Sequence, residues 1–208
     1  MSTDRRTFAL AITGASGALY AMRTMAALLE RNCHLEVVIS DYGKRLLHDE
    51  LGEGASAAHL REYLVDRYGE PAKQGSFEVL SNKDLGATIA SGSHDCDAMV
   101  VVPCSMKTLA GIAHGLSRNL VERAADVMLK ERRTLVLMIR ESPLSLVHAE
   151  NILALTRAGA TVMPLSPPWY HRPRTLEDLV EDTCARALDH LGLPQLVPRR
   201  WTGEAAPR

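Results

Sequence analysis

Short runs of consecutive apolar residues alternate along this chain with stretches in which apolar positions recur every three or four residues. The runs at 9–12 (ALAI), 35–40 (LEVVIS), 98–103 (AMVVVP), 134–140 (TLVLMIR) and 160–165 (ATVMPL) read as strands buried on both faces. A more polar segment from 71 to 93 carries a possible edge strand at 77–80. Helical spacing covers 18 to about 30, 42–51, 57–68, a helix opened by CSMKT after the run at 98–103, 120–132, 145–158 and 176–191. This alternation predicts a single α/β domain over residues 1–208, with a Rossmann-like (flavodoxin-like) doubly wound parallel sheet and helices on both faces. Residues 167–173 form a proline-bounded loop, and 194–208 a tail expected to wrap a surface or a neighbouring subunit.

Composition narrows the class. The chain has 208 residues and 46% hydrophobic content, enough for one sizeable core. A formal net charge of -1 gives no bulk attraction to nucleic acid or to a membrane surface. The apolar runs are far shorter than a bilayer span, and the first residues carry no secretory leader pattern, so a cytoplasmic protein is expected. The four cysteines form no C-x-x-C pair and the eight histidines no ligand spacing, so no disulfide framework and no metal are expected. Cys104 alone follows a strand where chemistry could occur; a buried small hydrophobe is the favoured role.

The stretch ALAITGASGALYAMR at 9–23 organises the rest. A buried strand feeding a glycine turn and then a helix aims backbone N–H groups and a positive dipole end at one spot, which suits a phosphate. Glycine used only for tight packing is the plain alternative. In doubly wound folds ligands sit beyond the carboxyl ends of strands. Those ends carry Gly14, Ala15 and Ser16; Ser40 and Asp41; Cys104 to Thr108; Arg140, Glu141 and Ser142; and Trp169 to Arg172. Small hydroxylic turns beside cations and aromatic rings fit a phosphorylated, partly aromatic ligand.

A nicotinamide dehydrogenase is the first rival. Ala18 stands where its fingerprint needs a third glycine, Ser40 where it needs a ribose-binding acid, and no Tyr-x-x-x-Lys pair occurs. Arg123 and Lys130 are two helical turns apart and share a face. Lys130 alone reads as a solvated helix end. Arg140-Glu141, ending a buried strand, lies where a guanidinium can grip phosphate and a carboxyl group can trade protons.

The segments TGASGALY, ASGS at 90–93, PCSMKTLAGIAHG, ERAADVMLKERR, IRESPLS and PPWYHRP, in this order, resemble the flavin prenyltransferases. Members of that family also go by the name of small subunit of phenolic acid or 3-polyprenyl-4-hydroxybenzoate decarboxylases. The resemblance covers nearly all of residues 8–201. It implies an enzyme that joins a dimethylallyl group from dimethylallyl monophosphate to N5 and C6 of reduced FMN. The prenylated FMN product serves a partner aromatic-acid decarboxylase of the UbiD type. The resemblance assigns Gly14, Ala15, Ser16, Ser40, Ser105, Met106, Lys107, Thr108 and Arg140 to the flavin. Arg123, Lys130, Tyr170 and Arg186 would hold the allyl phosphate; Ser16, Glu50, Lys130 and Glu141 would be catalytic; no metal is required. It further implies a homo-oligomer, commonly a dodecamer, with sites at subunit contacts. In some members a tryptophan before ASGS faces the prenyl carbons; here that place falls to Leu85.

Two other functions fit less well. Flavin-dependent cysteine decarboxylases of this general fold carry a Pro-x-Met-Asn-x-x-Met-Trp segment where this chain reads PPWYHRP. A non-catalytic FMN carrier would have no need of Lys130, Glu141, Tyr170 and Arg186.

Overall fold

The computed structural model describes residues 5–170 and 172–193. Its first half runs β1 (Thr7–Ile12), α1 (Ala18–Leu29), β2 (His34–Ile39), α2 (Asp41–Leu51), α3 (Leu60–Tyr68) and β3 (Ser76–Leu80). The second half runs β4 (Ala98–Cys104), α4 (Met106–Ala113), α5 (Leu120–Lys130), β5 (Thr134–Ile139), α6 (Leu146–Arg157), β6 (Thr161–Pro164) and α7 (Leu176–His190). All five strand pairings are parallel, and the order is β3-β2-β1-β4-β5-β6. This is the doubly wound order of Rossmann folds; without the edge strand β3 it becomes the flavodoxin order.

The central strands β1, β4 and β5 are apolar on both sides because helices cover both faces. Phe8, Leu10, Ile12, Val100, Val102, Val136 and Met138 pack with Met22, Met25, Leu28 and Leu29 of α1 and Leu188 of α7. The alternate residues Ala9, Ala11, Met99, Val101, Leu135 and Leu137 pack with Leu109 and Ile112 of α4 and Val121, Val127 and Met128 of α5. At roughly 1.5–3 kcal/mol for each large buried side chain, either face supplies enough to fix the register.

The expected elements stand, with one shortened start. The helix expected from 57 begins at Leu60, because a 3-10 turn at Glu53–Ala55 and a turn closed by His59 N donating to Ser56 O (3.0 Å) use up the preceding residues. The α5 helix stops at Lys130, and Arg132 beyond it takes a left-handed φ of 55°. The tail at 194–208 and His171 lie outside the described residues. Among the described residues no helix is long and apolar enough to cross a membrane.

Candidate flavin and allyl-phosphate site

The strand order reverses between β1 and β4, so the connections leaving these strands diverge and open a crevice. Thr13, buried at the end of β1, holds its two walls together. Its hydroxyl donates to Pro103 O (2.8 Å) and accepts from Ser105 N (2.8 Å). Three helices begin around this crevice, each with a capped first turn. Ser40 accepts from Gly43 N (3.0 Å) at α2, Ser105 from Thr108 N (3.3 Å) at α4, and Asn119 from Glu122 N (3.1 Å) at α5.

Between these helix starts lies a cleft of about 320 Å³ lined by Gly14, Ser40, Ser105, Lys107 and Thr108. Asp41, Tyr42, Asn82, Asn119, Val121 and Glu122 complete the wall. Three positive helix ends and the Lys107 ammonium favour an anion here, set against the carboxylates of Asp41 and Glu122 in the first turns of α2 and α5. Glycine is needed where backbones meet. A Cβ on Gly43 would lie 2.4 Å from Ile12 O, and one on Gly14 would lie 2.4 Å from Tyr42 Cβ.

The α1 turn, the strongest phosphate signal in the sequence, holds an anion of its own. Glu50 accepts from Gly17 N (3.1 Å) and Ala18 N (2.8 Å), and Ala15 N is taken by Thr13 O (3.0 Å). The anion position expected there is therefore filled by a side chain from α2, and the open helix starts are those of α2, α4 and α5. On the same lip Arg140 Nε donates to Ser16 O (3.3 Å), and Glu141, next in the chain, accepts from Ser142 N (3.1 Å). The structure thus gathers Ser16, Glu50 and Arg140 at one edge of the crevice and leaves Glu141 exposed beside them. Met106 and Ala15 have buried side chains and can offer a ligand only backbone groups.

Arg123 and Lys130 line one flank of α5, against the loop that carries ASGS. Arg123 Nε donates to Ala90 O (3.1 Å) and its guanidinium pairs with Asp126 (3.0 Å). The Lys130 ammonium pairs with Glu131, whose carboxyl group that hydrogen bond holds below the usual range. Arg186 on α7 pairs with Asp189 of its own helix (3.2 Å), and Tyr170 is half exposed in the loop after β6. The residues expected for the allyl phosphate therefore lie on three elements: Arg123 and Lys130 on α5, Tyr170 in the loop after β6 and Arg186 on α7. Leu85 is half exposed and is not part of the cleft wall.

Sequence reasoning put Asp41 at the crevice but missed Tyr42, Asn82, Asn119, Val121 and Glu122. An Asn three residues ahead of Glu before an apolar run marks a helix start, so Asn119 carried a signal; Asn82 carried none. Cys104 is fully buried and burial pushes its thiol up to about 12, which leaves it inert. Among the described residues no group of three His, Cys, Asp or Glu could hold a metal ion.

Residues 1–190 match the model of the Flavoprotein family. The flavin prenyltransferase UbiX of Pseudomonas aeruginosa is 42% identical over 194 residues, covering 92% of this chain and 92% of the relative. A crystal structure of AnUbiX in complex with FMN and dimethylallyl pyrophosphate superimposes with a TM-score of 0.85 at 38% identity, covering 96% of this chain and 99% of that one. A dodecameric FMN-dependent UbiX-like decarboxylase from Escherichia coli O157:H7 superimposes with a TM-score of 0.82 at 40% identity, covering 95% of this chain and 100% of that one. A peptidyl-cysteine decarboxylase, at 14% identity and a TM-score of 0.57, shares the fold alone.

Proposed function

Since this chain belongs to the flavin prenyltransferase family, we propose that it transfers a dimethylallyl group from dimethylallyl monophosphate to N5 and C6 of reduced FMN. The convergence of three capped helix starts on one cleft carries this reading. The FMN phosphate fits the first turns of α2 and α4, with Ser40, Ser105, Thr108 and Lys107 around it. Gly14, Ser16 and Arg140 would hold the isoalloxazine end, and Thr13 keeps the two walls of the crevice in register.

When bound, reduced FMN would supply the electron pair for the bond at N5 as the allylic C–O bond breaks and phosphate leaves, and the pair for the bond at C6 once the allyl double bond has taken up a proton. The chain's own residues manage charge and protons around that event. Lys130, Arg123, Arg140 and Arg186 offset the negative charge that builds on the departing phosphate. Glu141, exposed at the end of β5, protonates that phosphate and then accepts the proton lost from the ring. Ser16 lies at the same edge, and Glu50, fixed by Gly17 N and Ala18 N, sets the anionic side of the crevice. Tyr170 offers an aromatic face to the cationic carbon.

Tyr170 and Arg186 sit on other elements than Lys130, and a homo-oligomer in which one copy's loop completes another copy's crevice would bring the groups together. The exposed apolar side chains Leu144, Leu146, Val147 and Leu153 on and before α6 offer surface for such an assembly. The E. coli neighbour is a dodecamer, and we propose the same state for this chain. The product serves a UbiD-type aromatic-acid decarboxylase in the cytoplasm.

Mass spectrometry of the released flavin, after anaerobic incubation with reduced FMN and dimethylallyl monophosphate, tests the reading. A gain of about 68 mass units, one C5H8, is expected. Unmodified FMN together with no binding of the allyl phosphate would make the chain a flavin carrier. The AnUbiX structure holds the diphosphate, so the same assay run with that donor fixes the phosphate count.

A further inference from the structure

One charged side chain lies buried in the sheet with no part in the flavin cleft. Glu36 sits on β2, paired in register with Ala9 of β1, and is 2% exposed. A carboxylate this deep costs several kcal/mol to desolvate unless it is paired. Its partners both come from one loop 52 or more residues away. The Thr88 hydroxyl donates to Oε1, and the His94 ring nitrogen Nε2 lies 2.7 Å from Oε2. These two residues bracket ASGS at 90–93.

The opposite side of that loop is held by α5 and the residues just after it. Arg123 donates to Ala90 O (3.1 Å), and Arg133 donates to Gly92 O (2.9 Å) and His94 O (2.7 Å). The Lys130–Glu131 ion pair rests on Gly92, where an added Cβ would lie 2.6 Å from the Lys130 ammonium. The loop is thus fixed on one side by a buried carboxyl group and on the other by two guanidiniums, and its tip meets the Lys130–Glu131 pair.

We propose that Glu36 and His94 are positioning residues for the phosphate end of the allyl site. By anchoring 88–94 they hold Gly92, and through it the Lys130 and Arg123 side chains, in the geometry that accepts the allyl phosphate. Neither is among the residues that line the flavin cleft. The proposal rests on the prenyltransferase reading for the identity of the ligand; the anchoring itself does not.

The test uses the full chain and the double variant Glu36→Leu/His94→Phe, which removes the buried charge and its partner together and so avoids leaving an unpaired carboxylate. Three quantities are read: FMN affinity by flavin fluorescence, KM and kcat for dimethylallyl monophosphate, and amide hydrogen exchange of 88–94. The expected result is a KM raised about tenfold, FMN affinity within about twofold of the parent, and faster exchange confined to the loop. Glu36→Gln, whose amide can still accept from Thr88 and reach His94, is expected to retain the parent KM. An unchanged KM in the double variant overturns the proposal, as does a parallel loss of FMN affinity, which would make the pair a general support of the fold. If the parent chain itself transfers no allyl group, the prenyltransferase function has failed; slow, parent-like exchange in the double variant then overturns the anchor on its own.

Discussion

The turns that follow β1 and β4 look alike in outline, each a buried strand running into small residues and then a helix, yet they do different work. At β1 the helix start is closed: Glu50 occupies the Gly17 and Ala18 N–H groups. At β4 the cap is Ser105, a neutral hydroxyl, and the cleft beyond it stays open between α2, α4 and α5. A helix dipole satisfied by a carboxylate no longer recruits a ligand anion, whereas one capped by serine still does. In the proposed function the glycine-rich lip, with Ser16, Arg140 and Glu141, is therefore the chemical side of the crevice, and the plainer CSMKT lip is the binding side.

The largest expected effect comes from the chemical side. Glu141→Gln should lower kcat by about 10²- to 10⁴-fold, the worth of a positioned proton donor, while flavin fluorescence titration gives unchanged FMN affinity. Loss of FMN affinity in step with kcat would erase the distinction between the lips. Next is the α5 flank. Lys130→Ala should raise KM for dimethylallyl monophosphate by about tenfold or more, the value of one charge-assisted contact, with FMN again retained. Equal weakening of both ligands would place Lys130 in the flavin cleft instead.

Smaller effects separate the two helix starts directly. Ser105→Ala removes the α4 cap and should cost about 1 kcal/mol in denaturant unfolding and weaken FMN at the same time. Glu50→Gln keeps the side chain's shape but removes its charge at α1; about 0.3–1 kcal/mol of stability should go, with FMN affinity nearly unchanged. A Glu50→Gln protein that bound FMN much more tightly would mean that the α1 start competes for the phosphate, and the roles of the two lips would reverse.

Much of this was legible in the chain. The runs ALAI, LEVVIS, AMVVVP and TLVLMIR became parallel strands inside the sheet because continuous apolar stretches of that length need cover on both faces. Ser40, Ser105 and Lys107 fell in the cleft because residues just past a strand's carboxyl end are delivered there by the right-handed crossover. The helix expected from 57 and found from 60 went astray where glycines and serines allow a 3-10 turn that apolar spacing does not register, and the one expected to 132 ends at Lys130.

By itself the sequence determined the order of elements, the faces they bury and the turns that reach the crevice, because apolar period and cap chemistry are written within a few neighbouring residues. Tertiary structure alone decided which helix start is open and which is sealed. Glu50 reaches Gly17 across 33 residues of chain, Asn82 and Glu122 meet in one cleft wall, and Glu36 meets His94 across 58. Charges find partners by distance in space, and that distance is set only after the crossovers have stacked the helices on the sheet.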